Sequence, residues 1–154
     1  MELYQQFQQC LTQNSLEQAR QYLLRHLQAN PRHALGFYQL GRLDYDLGQW
    51  SAALCDFLEA CRLEPDNAEF HRSAGVAYHD LQQPYQAIHE FEVAFEKSGD
   101  PLARYNRAMS LLMAGRYEEG LRDYELRFQI SPLNERFKWH PAEKLWRGQP
   151  FPNQ

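Results

Sequence analysis

Small and turn-forming residues return along this chain at a step of 34 positions. Ala19, Ala53 and Ala87 are 34 apart, and Gly120 follows 33 later. Asn14, Gly48, Gln82 and Gly115 keep the same step, five residues upstream each time. A further series, Pro31, Pro65, Gly99 and Pro132, closes each unit with spacings of 34, 34 and 33. Three registers sharing one period signal a stacked array of supersecondary units, which presents surface far more often than it builds an active site.

The second unit, Ala34 to Asn67, shows what is being repeated. Phe37, Leu40, Gly41 and Asp44 stand at i, i+3, i+4 and i+7, an apolar and small stripe that Asp44 interrupts. Gly48 then offers the left-handed conformation that ends many helices. Trp50, Ala53, Leu54, Phe57, Leu58 and Cys61 resume the helical spacing. Pro65 stops the second run, because it lacks a backbone donor and disfavours helix in the residue before it. Each unit is therefore expected to be a hairpin of two helices, about 13 residues each. Alone, such a hairpin cannot cover its own apolar faces, so its neighbours must stack on it. Gly41, Gly75 and Ala108 share one position in the first helix, and Ala53 and Ala87 share the expected crossing point in the second. Ala60 and Ala94 stand where the next unit should meet it. Small side chains there let helix axes approach closer than the usual separation of roughly 8–10 Å.

These residues carry a resemblance to the tetratricopeptide repeat (TPR) family, over about residues 2 to 133. The match is closest in Phe37, Leu40, Gly41, Gly48, Trp50, Ala53, Phe57, Ala60 and Pro65. The third unit keeps Gly75, Tyr78, Ala87, Phe91 and Ala94, with Gln82-Gln83-Pro84 as its turn, where Pro84 suits a first helical position. The fourth keeps Gly115, Tyr117, Tyr124 and Pro132 but has Gly120 and Arg127 where Ala is expected. The first keeps Ala19 and Pro31, with Phe7 at the small position. The resemblance implies an all-α fold, a right-handed α-solenoid of about four hairpins: units about 1–33, 34–67, 68–100 and 101–133. Residues 134–154 follow as a capping segment or linker, since Phe137, Trp139, Leu145, Trp146 and Phe151 are too many aromatics for a flexible tail. Gly115 to Phe128, with Trp146-Arg147-Gly148 after it, also resembles the last repeat of bacterial proteins whose TPRs lead into a glycosyltransferase-like domain.

In that family the first helices line a concave groove, and ligand contacts recur at fixed positions along them. Carried over, those positions are Tyr4, Gln5, Gln8 and Thr12; Tyr38, Gln39, Arg42 and Tyr45; Arg72, Ser73, Val76 and His79; Tyr105, Asn106, Met109 and Met113. One stripe reads Gln5, Gln39, Ser73, Asn106, side chains that both donate and accept and can pair with an extended peptide backbone. The clamp with which some members hold chaperone tails needs Lys, Arg and Asn at five places. Units one to three offer Tyr4, Gln8, Gln39, Glu69 and Ser73 there, and units two to four offer Tyr38, Arg42, Ser73, Leu102 and Asn106. Neither set forms a positive cage.

The expected function is thus binding of a protein or peptide partner in the groove, without catalysis. Two further readings are a substrate-recruiting region of a larger glycosyltransferase-like protein, and a stand-alone secretion or assembly chaperone. No Gly-rich phosphate loop or nucleophile motif is present. The six histidines include no i, i+4 pair and are expected as surface or groove residues without a metal or cofactor. Residues 1–130 carry 12 basic and 18 acidic side chains, a balance that argues against nucleic acid as a partner. No apolar stretch reaches the roughly 20 residues of a membrane span. No secretory leader pattern opens the chain, and Cys10, Cys55 and Cys61 form no even framework, so the cytoplasm is the expected compartment. An uncovered end of the stack could pair two copies as a homodimer.

Overall fold

The computed structural model describes Phe7, residues 15–128 and residue 130. Among them the chain forms seven α-helices: α1 (Leu16–Ala29), α2 (Ala34–Asp46), α3 (Trp50–Leu63), α4 (Ala68–Asp80), α5 (Pro84–Ser98), α6 (Pro101–Met113) and α7 (Tyr117–Tyr124). A short 3-10 turn, Glu125–Phe128, follows. Each helix packs on the next along the chain, which makes an all-α stack of hairpins. The expectations for Tyr4, Gln5 and residues 134–154 lie outside the described residues.

Three hairpin turns are built alike. Gly48 and Gly115 take the left-handed conformation, with φ of 75° and 78°, and Gln82 takes it at 59° without being a glycine. In each, the following amide bonds back to one register position: Gln49 N to Asp44 O, Gln83 N to Tyr78 O, and Arg116 N to Leu111 O. Pro84 and Pro101 open their helices, where a missing N–H costs nothing. Asn67 and Asp100 cap theirs by accepting from Glu69 N at 3.2 Å and Leu102 N at 2.9 Å.

The recurring small residues act as read from the sequence. Ala53, Ala60 and Ala87 are fully buried and Ala94 is 1% exposed. A Cβ on Gly41 would come within 2.7 Å of the Phe57 ring and 3.0 Å of the Ala53 carbonyl. At Gly75 it would come within 2.7 Å of the Phe91 ring. The hairpins close because the rings of Phe57 and Phe91 lie where those side chains would be. Burial of each ring contributes about 2–3 kcal/mol. The core follows the stack: one cluster joins Phe7, Ala19, Leu23, Leu27, Leu40 and Leu43, and another centres on Phe57, Ala60, Cys61 and Phe70.

One element departs from expectation. The last helix keeps its regular form for only 8 residues before tightening into the 3-10 turn. Arg127 explains the change. Its Nη1 donates to the Tyr124 carbonyl at 3.1 Å, and its guanidinium lies 4.4 Å from the Tyr124 ring centre and 4.0 Å from that of Phe128. A carbonyl drawn to a side chain is a weaker acceptor for the helical amide beyond it.

Candidate functional site

The first helices α2 and α4 stand side by side and enclose a cleft of about 350 Å³. Tyr38, Arg42, Tyr45 and Asp46 line it from α2, Glu69, Arg72, Ser73 and Val76 from α4, and Phe57 forms the floor from α3. Six of the residues expected in the groove therefore meet here: Tyr38, Arg42, Tyr45, Arg72, Ser73 and Val76. Helical spacing explains it, since positions three and four apart share one face.

Most polar groups of the cleft are already engaged. Tyr38 stacks on Phe70 with ring centres 4.9 Å apart, and its hydroxyl donates to Glu69 Oε1 at 2.9 Å. Arg72 grips the same carboxylate, with Nε 3.0 Å from Oε2. The Tyr45 hydroxyl donates to Asp80 Oδ2. Burial, reinforced by that carboxylate, pushes the Tyr45 phenol up to about 12. Burial likewise raises the Tyr38 phenol, with Glu69 adding to it. Both tyrosines are neutral hydrogen-bonding groups at physiological pH. Arg42 differs. It is exposed, lies 5.9 Å from the Tyr38 ring centre, and forms no ion pair among the described residues.

Other described residues of the expected set lie elsewhere. Gln39 lines a smaller adjoining cleft of about 140 Å³ with Phe7, Arg42 and Asp46. His79 faces the next unit, where Nδ1 is 3.0 Å from Ser110 Oγ. Tyr105 stacks on Tyr124 of α7 at 5.7 Å. Asn106 is the neighbour of Tyr105 on α6, one unit beyond Ser73. Of the described members of the amide stripe, Ser73 lines the larger cleft and Gln39 the smaller one beside it.

Sequence reasoning missed a set of charged contacts inside the stack. Asp44, only 1% exposed, receives Arg20 Nε at Oδ1 and Arg20 Nη2 at Oδ2, the latter at 3.1 Å. Asp123, also 1% exposed, is held by Arg104 and by Arg107. Asp56 has only a shared claim on a cation. Burial first, then the charge of Asp44, pushes its carboxyl up to about 7 against the opposing pull of Arg20. A charge that interrupts an apolar stripe, as Asp44 does, was the available signal, because a buried carboxylate demands a partner. Several histidines likewise make contacts that local spacing does not show. Of those described, only His89 is exposed. His26 and His33 meet edge to face at 5.0 Å, and His71 is 2.7 Å from Glu90. Their partners sit on other turns or helices, where local spacing cannot show them.

Two family models match this chain, described as TPR repeat over residues 41–82 and Tetratricopeptide repeat over residues 80–135. The chain belongs to the tetratricopeptide repeat family. Members of this family are protein–protein interaction modules, and that coarse function holds here. Among curated proteins, it is similar to Protein FlbA of Caulobacter vibrioides, 29% identical over 140 residues. That match takes in 88% of this chain and only 23% of the relative's length. Among solved structures, MamA from Desulfovibrio magneticus superposes with a TM-score of 0.79 at 21% identity, covering 84% of this TPR chain and 74% of that one. YrrB, a TPR protein with an unusual peptide-binding site, gives 0.72 at 23% identity, over 82% and 66%. An O-GlcNAc transferase from Thermobaculum terrenum gives 0.62 at 21% identity, over 71% of this chain and 21% of that one. These likenesses show the fold. No helix among the described residues is long and apolar enough to cross a membrane.

Proposed function

We propose that the cleft between α2 and α4 binds an extended segment of a partner protein, without catalysis, and that Arg42 receives an acidic group of that segment. Arg42 carries the reading. A guanidinium with no ion pair among the described residues, beside the stacked Tyr38 and Phe70, offers a charge-assisted bidentate contact at the edge of an aromatic wall. Tyr and Arg are the residue types enriched where binding energy concentrates. Ser73 adds a hydroxyl able to donate or accept at the same wall. Tyr105, Asn106 and His79 would meet the segment only where it runs on toward α6, and Tyr4, Gln5 and Gln39 only where it runs the other way. The peptide-binding site named for YrrB is consistent with this use of the fold.

A random-peptide phage library screened against the whole chain is the direct test. The reading expects a consensus containing Asp or Glu. It also expects the best peptide to lose about tenfold or more in affinity to Arg42→Glu, since a charge reversal costs at least about 1.4 kcal/mol. Arg62→Glu, on the exposed side of α3, should leave affinity unchanged. A consensus without acidic residues, or equal losses from both variants, would refute the assignment.

A second reading has its own support. The array would recruit substrate for a longer glycosyltransferase-like protein, as the Gly115 to Phe128 resemblance suggests and as the much greater length of the curated relative allows. An α/β-patterned domain encoded downstream in the parent gene would favour it, and a stop codon after Gln154 would refute it. In either reading the array is proposed to extend over residues 1–133, with 134–154 as a capping segment or linker.

A further inference from the structure

We propose that Cys61, His71 and Glu90 bind a divalent cation of the zinc class at the junction between the second and third hairpins. Cys61 comes from α3, His71 from α4 and Glu90 from α5, so three helices converge on one point. Their ligand atoms all lie within 4.8 Å of one another. Zinc holds sulfur, nitrogen and oxygen ligands at about 2.0–2.3 Å, which places tetrahedral neighbours roughly 3.4–3.8 Å apart. The three donors reach that spacing by shifts of about 1 Å.

His71 is oriented as a ligand would be. Its Nε2 lies 3.1 Å from the Pro65 carbonyl oxygen, which only accepts, so Nε2 carries the proton. Nδ1 therefore faces the cluster, where it and Glu90 Oε2, 2.7 Å apart, hold a proton between them that an ion would displace. A ring nitrogen fixed by a backbone carbonyl, with the other facing the ion, is the usual outer arrangement of a metal-bound histidine. Pro65, which ends α3, thus also aims the ring.

Neighbouring junctions show that packing alone does not ask for this set. The equivalent residues one unit earlier are Leu27, Phe37 and Asp56, and one unit later Phe95, Arg104 and Asp123. In the later set a guanidinium answers the acid directly, and Arg104 lies over the Phe95 ring at 5.4 Å. At the middle junction the imidazole answers Glu90, and that pair makes no use of the thiol. Cys61 is 7% exposed and supplies a soft sulfur at the place the other junctions fill with hydrocarbon. His71 and Glu90 are each 13% exposed, which leaves a path for the ion and a water as fourth ligand. On binding, the Cys61 thiol and the proton shared between His71 and Glu90 release two protons to solvent, and three coordinate bonds form. The ion would tie α3, α4 and α5 together, and Arg72 of the cleft directly follows His71.

The full chain, stripped with a chelator and kept reduced, is titrated with cobalt(II) chloride. One cobalt per chain is expected, with a thiolate-to-cobalt charge-transfer band, the intense d–d absorption of a tetrahedral site, and loss of both on adding zinc chloride. Cys61→Ser should abolish the charge-transfer band, whereas Cys55→Ser, an exposed thiol on the same helix, should keep it. Glu90→Gln, which preserves shape and hydrogen bonding, should weaken binding by about tenfold or more. No thiolate band in the wild-type chain would overturn the proposal whatever the variants do. So would a band that survives Cys61→Ser in a helical, folded protein, or one that disappears with Cys55.

Discussion

Replacing Asp56 by Asn should stabilise this protein at neutral pH and do nothing in acid. The half-buried carboxyl of Asp56 is pushed up to about 7 from its ordinary 3.8. The sign follows from proton binding. Between those values the unfolded chain holds Asp56 ionised while the folded chain keeps it protonated, so folding takes up a proton and stability falls as pH rises. The contribution is fully present below the unfolded value and gone above the folded one. Three units at about 1.4 kcal/mol each set a ceiling of about 4 kcal/mol. Structural relaxation and water at this half-buried site reduce this to about 1–2 kcal/mol. Asn cannot ionise and keeps nearly the same volume, so it removes the penalty without a cavity. Urea unfolding of both chains at several values between about pH 4 and pH 8 measures it. The Asn variant should match wild type at the acid end and lead by about 1–2 kcal/mol at the alkaline end. A constant difference across pH, or a less stable variant at the alkaline end, would refute the reasoning.

Four other outcomes follow from the packing. Gly41→Ala should cost about 1–3 kcal/mol in urea unfolding, because its Cβ would meet the Phe57 ring at 2.7 Å and the Ala53 carbonyl at 3.0 Å. Gly120→Ala should cost about 1–2 kcal/mol in the same assay, because its Cβ would meet Leu112 Cγ at 2.9 Å and the Ala108 carbonyl at 3.2 Å. Gln82→Gly should raise stability by about 0.5–1 kcal/mol, seen as a higher thermal midpoint, by relieving a left-handed residue at φ 59°. Asp123→Ala should cost about 2 kcal/mol in the same assay, as Arg104 and Arg107 lose their common acceptor but retain contact with water.

The sequence by itself determined the helices and their order. Gly48, Gly115 and Pro84 mark turns through backbone rules that operate within a few residues, and Gly41 and Ala53 mark the crossing because close packing admits nothing larger. The sequence also placed Tyr38, Arg42, Tyr45, Arg72, Ser73 and Val76 on matching helical faces, and these residues share a cleft. Tertiary structure alone decided which of the expected residues that cleft excludes, since Tyr105 is drawn to Tyr124 and His79 to Ser110. It alone also decided that Arg20 reaches Asp44, that Asp56 lacks a cation of its own, and that Cys61, His71 and Glu90 converge. The physical reason is common to all of these. A helical period specifies which face a side chain takes, but its electrostatic partner sits on another helix, and only the stacking angle brings the two within reach.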